Sequence, residues 1–103
     1  MKLISPAELN KKLKNKKEFI LLDVREQYEV DFCKIEDSIH IRMNEIPQNL
    51  KKIDKNKEII VYCHTEARSM RVTDFLNQKG YNAYNLEDGI DAYSKIDKKI
   101  KKY

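Results

Sequence analysis

Two short runs of consecutive apolar residues stand out in this chain, at residues 19–22 and 59–62. Runs of this length without polar alternation are typical of strands that are buried on both faces of a parallel sheet. Less continuous apolar segments at residues 38–41 and 81–86 predict two further strands. The pattern therefore places strands at intervals along most of the chain.

Helix signals fill the intervals between these strands. Residues 5–8 read Ser-Pro-Ala-Glu, which supplies an N-cap, a first-turn proline and the acid of a capping box, and predicts a helix to about Asn15. Residues 70–79 are apolar on one side, which predicts a second helix with Gly80 at its C′ position. Shorter helices are predicted at residues 26–32, 46–53 and 89–95.

Strands that alternate with helices over short connections indicate an α/β fold with a mainly parallel sheet. The length of 103 residues suits a single domain that covers residues 1–103. Its lysine-rich tail, from about residue 95, is expected to extend the last helix, because cations suit a helix C-terminus. Ligands of such sheets bind beyond the carboxyl ends of the strands. Asp23 and Arg25 follow one strand and Cys63 and His64 follow another, so these residues are expected to share one site.

Composition describes a densely charged, soluble protein. Hydrophobic residues make up 41% and charged residues 37%, with a formal net charge of +4. Neither a signal peptide nor a membrane span is visible, so a cytoplasmic location without a membrane partner is expected. The lysine clusters are interleaved with acids rather than aromatics, which argues against nucleic-acid binding. The two cysteines are expected to be unpaired, and together with the two histidines they lack metal-site spacing. The oligomeric state stays open.

The strand at residues 59–62 runs directly into Cys63, and Arg68 comes just before the second predicted helix. A loop in this position turns its backbone N–H groups toward the helix N-terminus, where an anion such as a thiolate is stabilised. Cys63 is therefore expected to be nucleophilic at neutral pH. Because Arg68 opposes the helix dipole, an anion is expected beside it, either a substrate or a carboxylate such as that of Asp23. The alternative for Cys63 is an inert, half-buried thiol.

Four blocks of this chain stand in a recognisable order: residues 21–26 with Glu29 after them, residues 35–41, residues 61–63 with 68–69, and residues 86–93. Together these blocks resemble a known family, the single-domain rhodaneses. The resemblance extends over nearly the whole chain. It implies the rhodanese-like fold, with a mainly parallel five-stranded sheet and helices on both faces, and a sulfurtransferase that uses no metal and no cofactor.

The resemblance also implies roles for particular residues. Cys63 is expected to be the catalytic residue, which takes up a sulfane sulfur as a persulfide. The loop that binds the substrate and the persulfide consists of His64, Thr65, Glu66, Ala67, Arg68 and Ser69. Asp23 and Arg25 are expected to support this loop, and Cys33 to be a packing or surface residue. The sulfur donor would be thiosulfate or a persulfide-bearing protein, and the acceptor would be a thiol.

Three other functions stay open. The first is a binding or regulatory module of the same fold with weak catalysis, and the second is a subunit of a sulfur relay. The third is a phosphatase or arsenate reductase of this fold. Six residues run from Cys63 to Arg68 inclusive. The resemblance favours sulfur over phosphate chemistry, because the phosphatases and reductases carry one residue more.

The chain departs from the family pattern in and around the loop. Glu66 stands where the family usually has glycine, which is expected to strain the backbone and to disfavour a dianion such as thiosulfate. Asp37 and Asp88 also replace glycines. His64 is interpreted either as a side chain that binds substrate or tunes the thiolate, or as one that points to solvent.

Overall fold

The computed structural model describes residues 2–15 and 18–102. Its helices and strands are β1 (Leu3–Ile4), α1 (Pro6–Lys14), β2 (Phe19–Asp23), α2 (Gln27–Phe32), β3 (Ile39–His40), β4 (Glu58–Tyr62), α3 (Ala67–Gln78), β5 (Asn82–Leu86) and α4 (Gly89–Tyr93). Two 3₁₀ segments, Met43–Glu45 and Pro47–Lys52, lie between β3 and β4. None of the helices in these ranges has the length and apolar character that a bilayer span requires.

The five strands form one parallel sheet in the order β1-β5-β4-β2-β3. β4 occupies the centre and pairs with β2 so that Leu22 faces Val61 and Asp23 faces Tyr62. The prediction of a mainly parallel five-stranded sheet is confirmed. This register also brings the carboxyl ends of β2 and β4 side by side, where the residues with candidate chemistry follow.

The sheet separates two apolar clusters, one on each face. The cluster under α3 and the 3₁₀ segments includes Ile20, Leu22, Ile46, Ile59, Val61, Cys63, Val72 and Leu76. The cluster under α1 and α4 includes Leu9, Leu21, Cys33, Ile60, Tyr62, Leu86, Ile90 and Tyr93. Because β2 and β4 contribute side chains to both clusters, their sequences read as continuous apolar runs. The prediction of helices on both faces is confirmed.

Local signals set several helix ends as predicted. Ser5 caps α1: its Oγ accepts a hydrogen bond from the N–H of Glu8 at 3.1 Å, and the Glu8 carboxylate accepts one from the N–H of Ser5 at 3.0 Å. Gly80 follows the C-cap of α3 with φ +88°, a conformation that glycine adopts without steric cost. Helix α3 begins at Ala67, ahead of the predicted residue 70, so Arg68 falls in its first turn.

Three parts of the fold differ from the prediction. Strand β1 was not predicted; it is two residues long and is held by its pairing with β5. The segment predicted as a helix at residues 46–53 is a 3₁₀ segment, Pro47–Lys52, and non-helical angles at Asn49 interrupt it. The last helix ends at Tyr93 rather than near residue 95.

The prediction that the lysine-rich tail extends the last helix is wrong for the residues that the structure describes. The Asp97 carboxylate accepts a hydrogen bond from the N–H of Lys99 at 3.1 Å, a local turn that competes with helical bonding. The chain then turns so that Ile100, only 7% exposed, packs in the cluster under α1 and α4. The favourable free energy of burying this apolar side chain explains the turn. Tyr103 lies outside the described residues.

Candidate active site

Cys63 lies directly after β4, at the carboxyl edge of the sheet, and is 1% exposed. Its Sγ accepts a hydrogen bond from the backbone N–H of Ser69 at 3.4 Å and lies 3.3 Å from Ser69 Oγ. Ser69 Oγ in turn donates to the carbonyl oxygen of Glu66 at 3.1 Å. Because Ser69 belongs to the first turn of α3, the sulfur sits against the positive end of that helix.

The backbone of the loop is held by the first residues of α4. The N–H of Ile90 donates to the carbonyl of Cys63 at 3.0 Å, and the N–H of Asp91 donates to the carbonyl of His64 at 3.0 Å. A Cβ on Gly89 would lie 2.4 to 2.5 Å from three consecutive loop carbonyl oxygens, those of Cys63, His64 and Thr65. Only glycine therefore fits where the two segments touch.

This contact also orients the loop N–H groups. In a trans peptide the C=O and the N–H point in opposite directions. The carbonyls of residues 63–65 converge on Gly89. The N–H groups of the next residues, His64, Thr65 and Glu66, therefore point to the other side of the loop, away from α4.

Glu66 does not adopt a left-handed conformation, which corrects the expectation drawn from the glycine that the family usually has there. Its φ is −141° and its ψ is −30°, outside the left-handed region that requires glycine. The Glu66 carboxylate accepts a hydrogen bond from the N–H of Asp88 at 3.2 Å, which adds a further tie between the loop and the start of α4. The left-handed residues are instead Asp37, with φ 69°, and Asp88, with φ 56°. Aspartate tolerates this conformation better than most side chains.

Arg68 forms a two-pronged ion pair with Glu29 of α2. Its guanidinium nitrogens lie 2.6 and 2.9 Å from the two carboxylate oxygens. Glu29 also accepts a hydrogen bond from the N–H of Glu26 at 2.9 Å. The Arg68 hydrogen bonds, with help from Glu26 and from the charge of Arg25, lower the pKa of the Glu29 carboxyl to about 2 although burial opposes this. The anion expected beside Arg68 is thus Glu29 and not Asp23.

Asp23 pairs instead with Arg25, and both side chains are completely buried. The Arg25 guanidinium donates to both Asp23 carboxylate oxygens, at 2.8 to 3.2 Å, and to the carbonyl oxygens of Cys33 at 2.6 Å and Glu29 at 3.4 Å. It also lies 5.5 Å from the centroid of the Tyr62 ring. Arg25 therefore fastens α2, which carries Glu29, to the end of β2.

Comparisons with known proteins identify the family of this chain. The model of the Rhodanese-like domain family matches residues 5–96. The chain belongs to the rhodanese-like domain family. YtwF of Bacillus subtilis, named as a candidate sulfurtransferase, is 39% identical over 93 residues, which are 90% of each chain. A sulfurtransferase of Allochromatium vinosum is 30% identical over 89% of this chain and 87% of its own. The crystal structure of a rhodanese-like domain protein from Staphylococcus aureus has a TM-score of 0.90 and 32% identity, and covers 100% of this chain and 99% of its own.

Four further residues of this rhodanese-like domain were singled out from the sequence: Thr65, Ala67, His64 and Cys33. Thr65 and Ala67 are exposed on the loop. His64 is 35% exposed, and its Nε2 lies 3.9 Å from the Asp91 carboxylate, so it faces the side of the loop where α4 begins. Cys33 is buried in the cluster on the opposite face of the sheet from Cys63, which agrees with a packing role.

Sequence reasoning missed two residues that position the loop of this rhodanese-like domain. Glu29 was noted only for its spacing, and Gly89 only as part of the final block. The capping-box spacing from Glu26 to Glu29 was a visible signal for a helix start, but nothing local indicated a bond to Arg68. Within the described ranges, no three His, Cys, Asp or Glu side chains are grouped to hold a metal ion.

Proposed function

We propose that this rhodanese-like domain is a sulfurtransferase that carries sulfur as a persulfide on Cys63. The observation that carries the proposal is the position of Cys63 Sγ, 3.4 Å from the first-turn N–H of Ser69 in a loop whose carbonyls are turned toward Gly89. A negative sulfur in this loop is stabilised by backbone N–H groups and by the helix dipole. Sulfurtransferase names among the relatives support the same chemistry.

The reaction has two displacement steps. The Cys63 thiolate attacks the outer sulfur of thiosulfate, the S–S bond of thiosulfate breaks, and sulfite leaves with the bonding electron pair. Cys63 then carries a persulfide anion. A thiolate acceptor, or cyanide in an assay, attacks the outer sulfur and releases the Cys63 thiolate. A persulfide-bearing protein can replace thiosulfate in the first step and leave as its own thiolate.

The loop supplies the stabilisation in this proposal. The N–H groups of His64, Thr65 and Glu66 point away from α4 and are available to the outer sulfur, while Ser69 holds the inner one. Both guanidinium nitrogens of Arg68 contact Glu29, so the role of Arg68 is to hold the start of α3 in place.

Donor choice follows from burial and from the position of Glu66. Cys63 is 1% exposed, so the donor must present its sulfur on a slender end, as thiosulfate and a terminal persulfide do. The Glu66 carboxylate is bonded to the N–H of Asp88, which directs it toward the start of α4. We propose that thiosulfate and protein persulfides are both accepted for this reason.

Intact-mass spectrometry tests the proposal. Wild type, Cys63→Ser and the matched control Cys33→Ser are incubated with thiosulfate and, separately, with a persulfide donor. A gain of one sulfur atom by wild type and Cys33→Ser, removed by cyanide and missing in Cys63→Ser, is expected. Absence of the gain in the folded wild type with both donors would favour a binding module of this fold, for which the low exposure of Cys63 is the supporting observation.

A further inference from the structure

An apolar groove lies beside the candidate active site and has no part in the chemistry above. Its volume is about 190 Å³, and it runs between the 3₁₀ segments and α3. It is lined by Met43, Ile46, Pro47, Arg71, Val72 and Phe75. A volume of this size corresponds to about six water molecules, enough for one large apolar side chain.

Both walls of the groove begin at the carboxyl edge of the sheet, where Cys63 lies. On one wall, Val72 follows Ser69 by three residues, which is about 4.5 Å along the helix axis. On the other wall, the N–H of Met43 donates to the carbonyl of Val24 at 3.1 Å, and the N–H of Val24 donates to the carbonyl of Tyr62 at 3.2 Å. The groove is therefore next to the loop and not on a remote surface.

Arg71 places a positive charge at the edge of this groove. It is exposed, and within residues 2–15 and 18–102 its guanidinium makes no ion pair or hydrogen bond. Its neighbour one turn earlier, Arg68, is already held by Glu29. Among the described residues Arg71 is thus a cation without a carboxylate partner, and it lies beside an apolar recess. This combination suits an apolar side chain flanked by an acid.

We propose that this groove docks the protein that delivers sulfur to Cys63, a proposal that rests on the proposed function. One apolar side chain of the donor fills the groove, and a neighbouring carboxylate pairs with Arg71. An apolar centre with a charged rim is the usual anatomy of a protein–protein contact. The donor's persulfide, a few residues along the same segment, then reaches Cys63. The Cys63 thiolate attacks the outer sulfur, the donor's S–S bond breaks, and the donor leaves as a thiolate.

Reversing the charge on the protein and on the peptide tests the docking. Two peptide persulfides are compared, in which leucine and then either glutamate or lysine precede glycine and the persulfidated cysteine. The second-order rate constant for sulfur loading is measured by intact mass for wild type, Arg71→Glu, Arg71→Gln and the control Lys11→Glu. Lys11 is an exposed cation of α1, which covers the opposite face of the sheet, so its reversal changes net charge equally.

Wild type and Lys11→Glu are expected to prefer the glutamate peptide, Arg71→Gln to lose most of that preference, and Arg71→Glu to prefer the lysine peptide. The preference should change about fivefold between wild type and Arg71→Glu, as for an exposed ion pair. An unchanged preference in Arg71→Glu, with melting by circular dichroism confirming its fold, would overturn the docking proposal.

Failure of the proposed function gives a different result. If neither thiosulfate nor either peptide persulfide loads sulfur onto wild type, the proposed sulfurtransferase function is wrong. Docking is then tested by the affinity of the peptides alone. Peptides with serine in place of cysteine are titrated while NMR shifts of the groove residues are followed. A glutamate preference that Arg71→Glu reverses supports the groove as a docking site, and equal affinities for both peptides overturn it.

Discussion

The ion pair between Arg68 and Glu29 makes a stability contribution whose size and pH dependence follow from the structure. Replacing Glu29 by glutamine keeps the shape of the side chain and one acceptor oxygen but removes the charge. Glu29 is 6% exposed and the Arg68 side chain is 30% exposed, so solvent screens the pair only in part, and the Arg68 guanidinium would lose its two-pronged contact. We expect both stability and the order of the loop to fall.

The magnitude comes from the pKa of Glu29, which falls from an ordinary value of 4.5 to about 2 in the folded protein. Each tenfold change in a dissociation constant is worth about 1.4 kcal/mol, so the ionised carboxylate stabilises the fold by about 3 kcal/mol at pH 7. Because the pKa in the folded protein is the lower one, this stability is complete above about pH 4.5. It is lost as the pH falls from 4.5 through 2, and about half of it is gone at pH 3.

Urea unfolding of wild type and Glu29→Gln at pH 7 and pH 3 checks this reasoning. The free energy of unfolding should differ by about 2–3 kcal/mol at pH 7 and by about half as much at pH 3. Glu36→Gln is the matched control, because Glu36 is exposed and its replacement should change stability by less than about 0.5 kcal/mol. A difference for Glu29→Gln that is equal at both pH values would refute the assignment of the stabilisation to charge.

Three further substitutions have expected outcomes. Gly89→Ala puts a methyl group 2.4 Å from a loop carbonyl at φ +60°, so we expect a loss of about 2–4 kcal/mol in urea unfolding and slower sulfur loading by intact mass; wild-type values for both would contradict the close contact. Arg25→Gln leaves the buried Asp23 charge without its guanidinium partner and should lower the free energy of unfolding by about 3–5 kcal/mol. The additional change Asp23→Asn should restore a part of this loss, and urea unfolding of both variants measures it. Ile100→Ala should lower the unfolding free energy by about 2 kcal/mol while Ile96→Ala, at a side chain 47% exposed, changes it little; equal effects would mean that the tail is not part of the core.

The main elements of the fold could be predicted because their signals are local. The capping box at Ser5 and the glycine after α3 set helix ends through contacts within a few residues. The apolar runs in β2 and β4 report burial on both faces, which restricts them to the inside of a parallel sheet. These features depend little on where the rest of the chain lies.

The errors lie where distant contacts decide the structure. Strand β1 has two residues, too few to show a period, and exists through backbone bonds to β5: the N–H of Asn85 donates to the carbonyl of Lys2 and that of Glu87 to the carbonyl of Ile4, both at 2.9 Å. In the tail, Ile96 and Ile100 have helical spacing, but only Ile100 finds a place in the core. Nothing in the local pattern distinguishes these two isoleucines.

The candidate site likewise has one part that the local sequence predicted and another that depends on distant contacts. The loop from Cys63 to Ser69 was visible because the cysteine, the arginine and the helix start are adjacent in sequence. The residues that hold the loop were not, because Glu29 reaches Arg68 across 39 positions and Gly89 meets the loop carbonyls from a separate helix. Spacing indicated that the carboxyl ends of two strands would meet, but it could not say which carboxylate would pair with which guanidinium.

The loop is held from two independent sides, which in the proposed reaction would keep its N–H groups in place for an anionic sulfur. The start of α4 fixes the carbonyls of Cys63 and His64, and the Arg68–Glu29 pair fixes the first turn of α3. N–H groups that are already oriented need no reorganisation when negative charge develops on sulfur, which is the condition under which such donors are most effective. Since each side is secured by contacts that the other does not share, loosening one should slow sulfur loading without releasing the whole loop. Variants at Gly89 and Glu29 should therefore combine nearly additively, and strong coupling between them would mean that the two sides form a single unit.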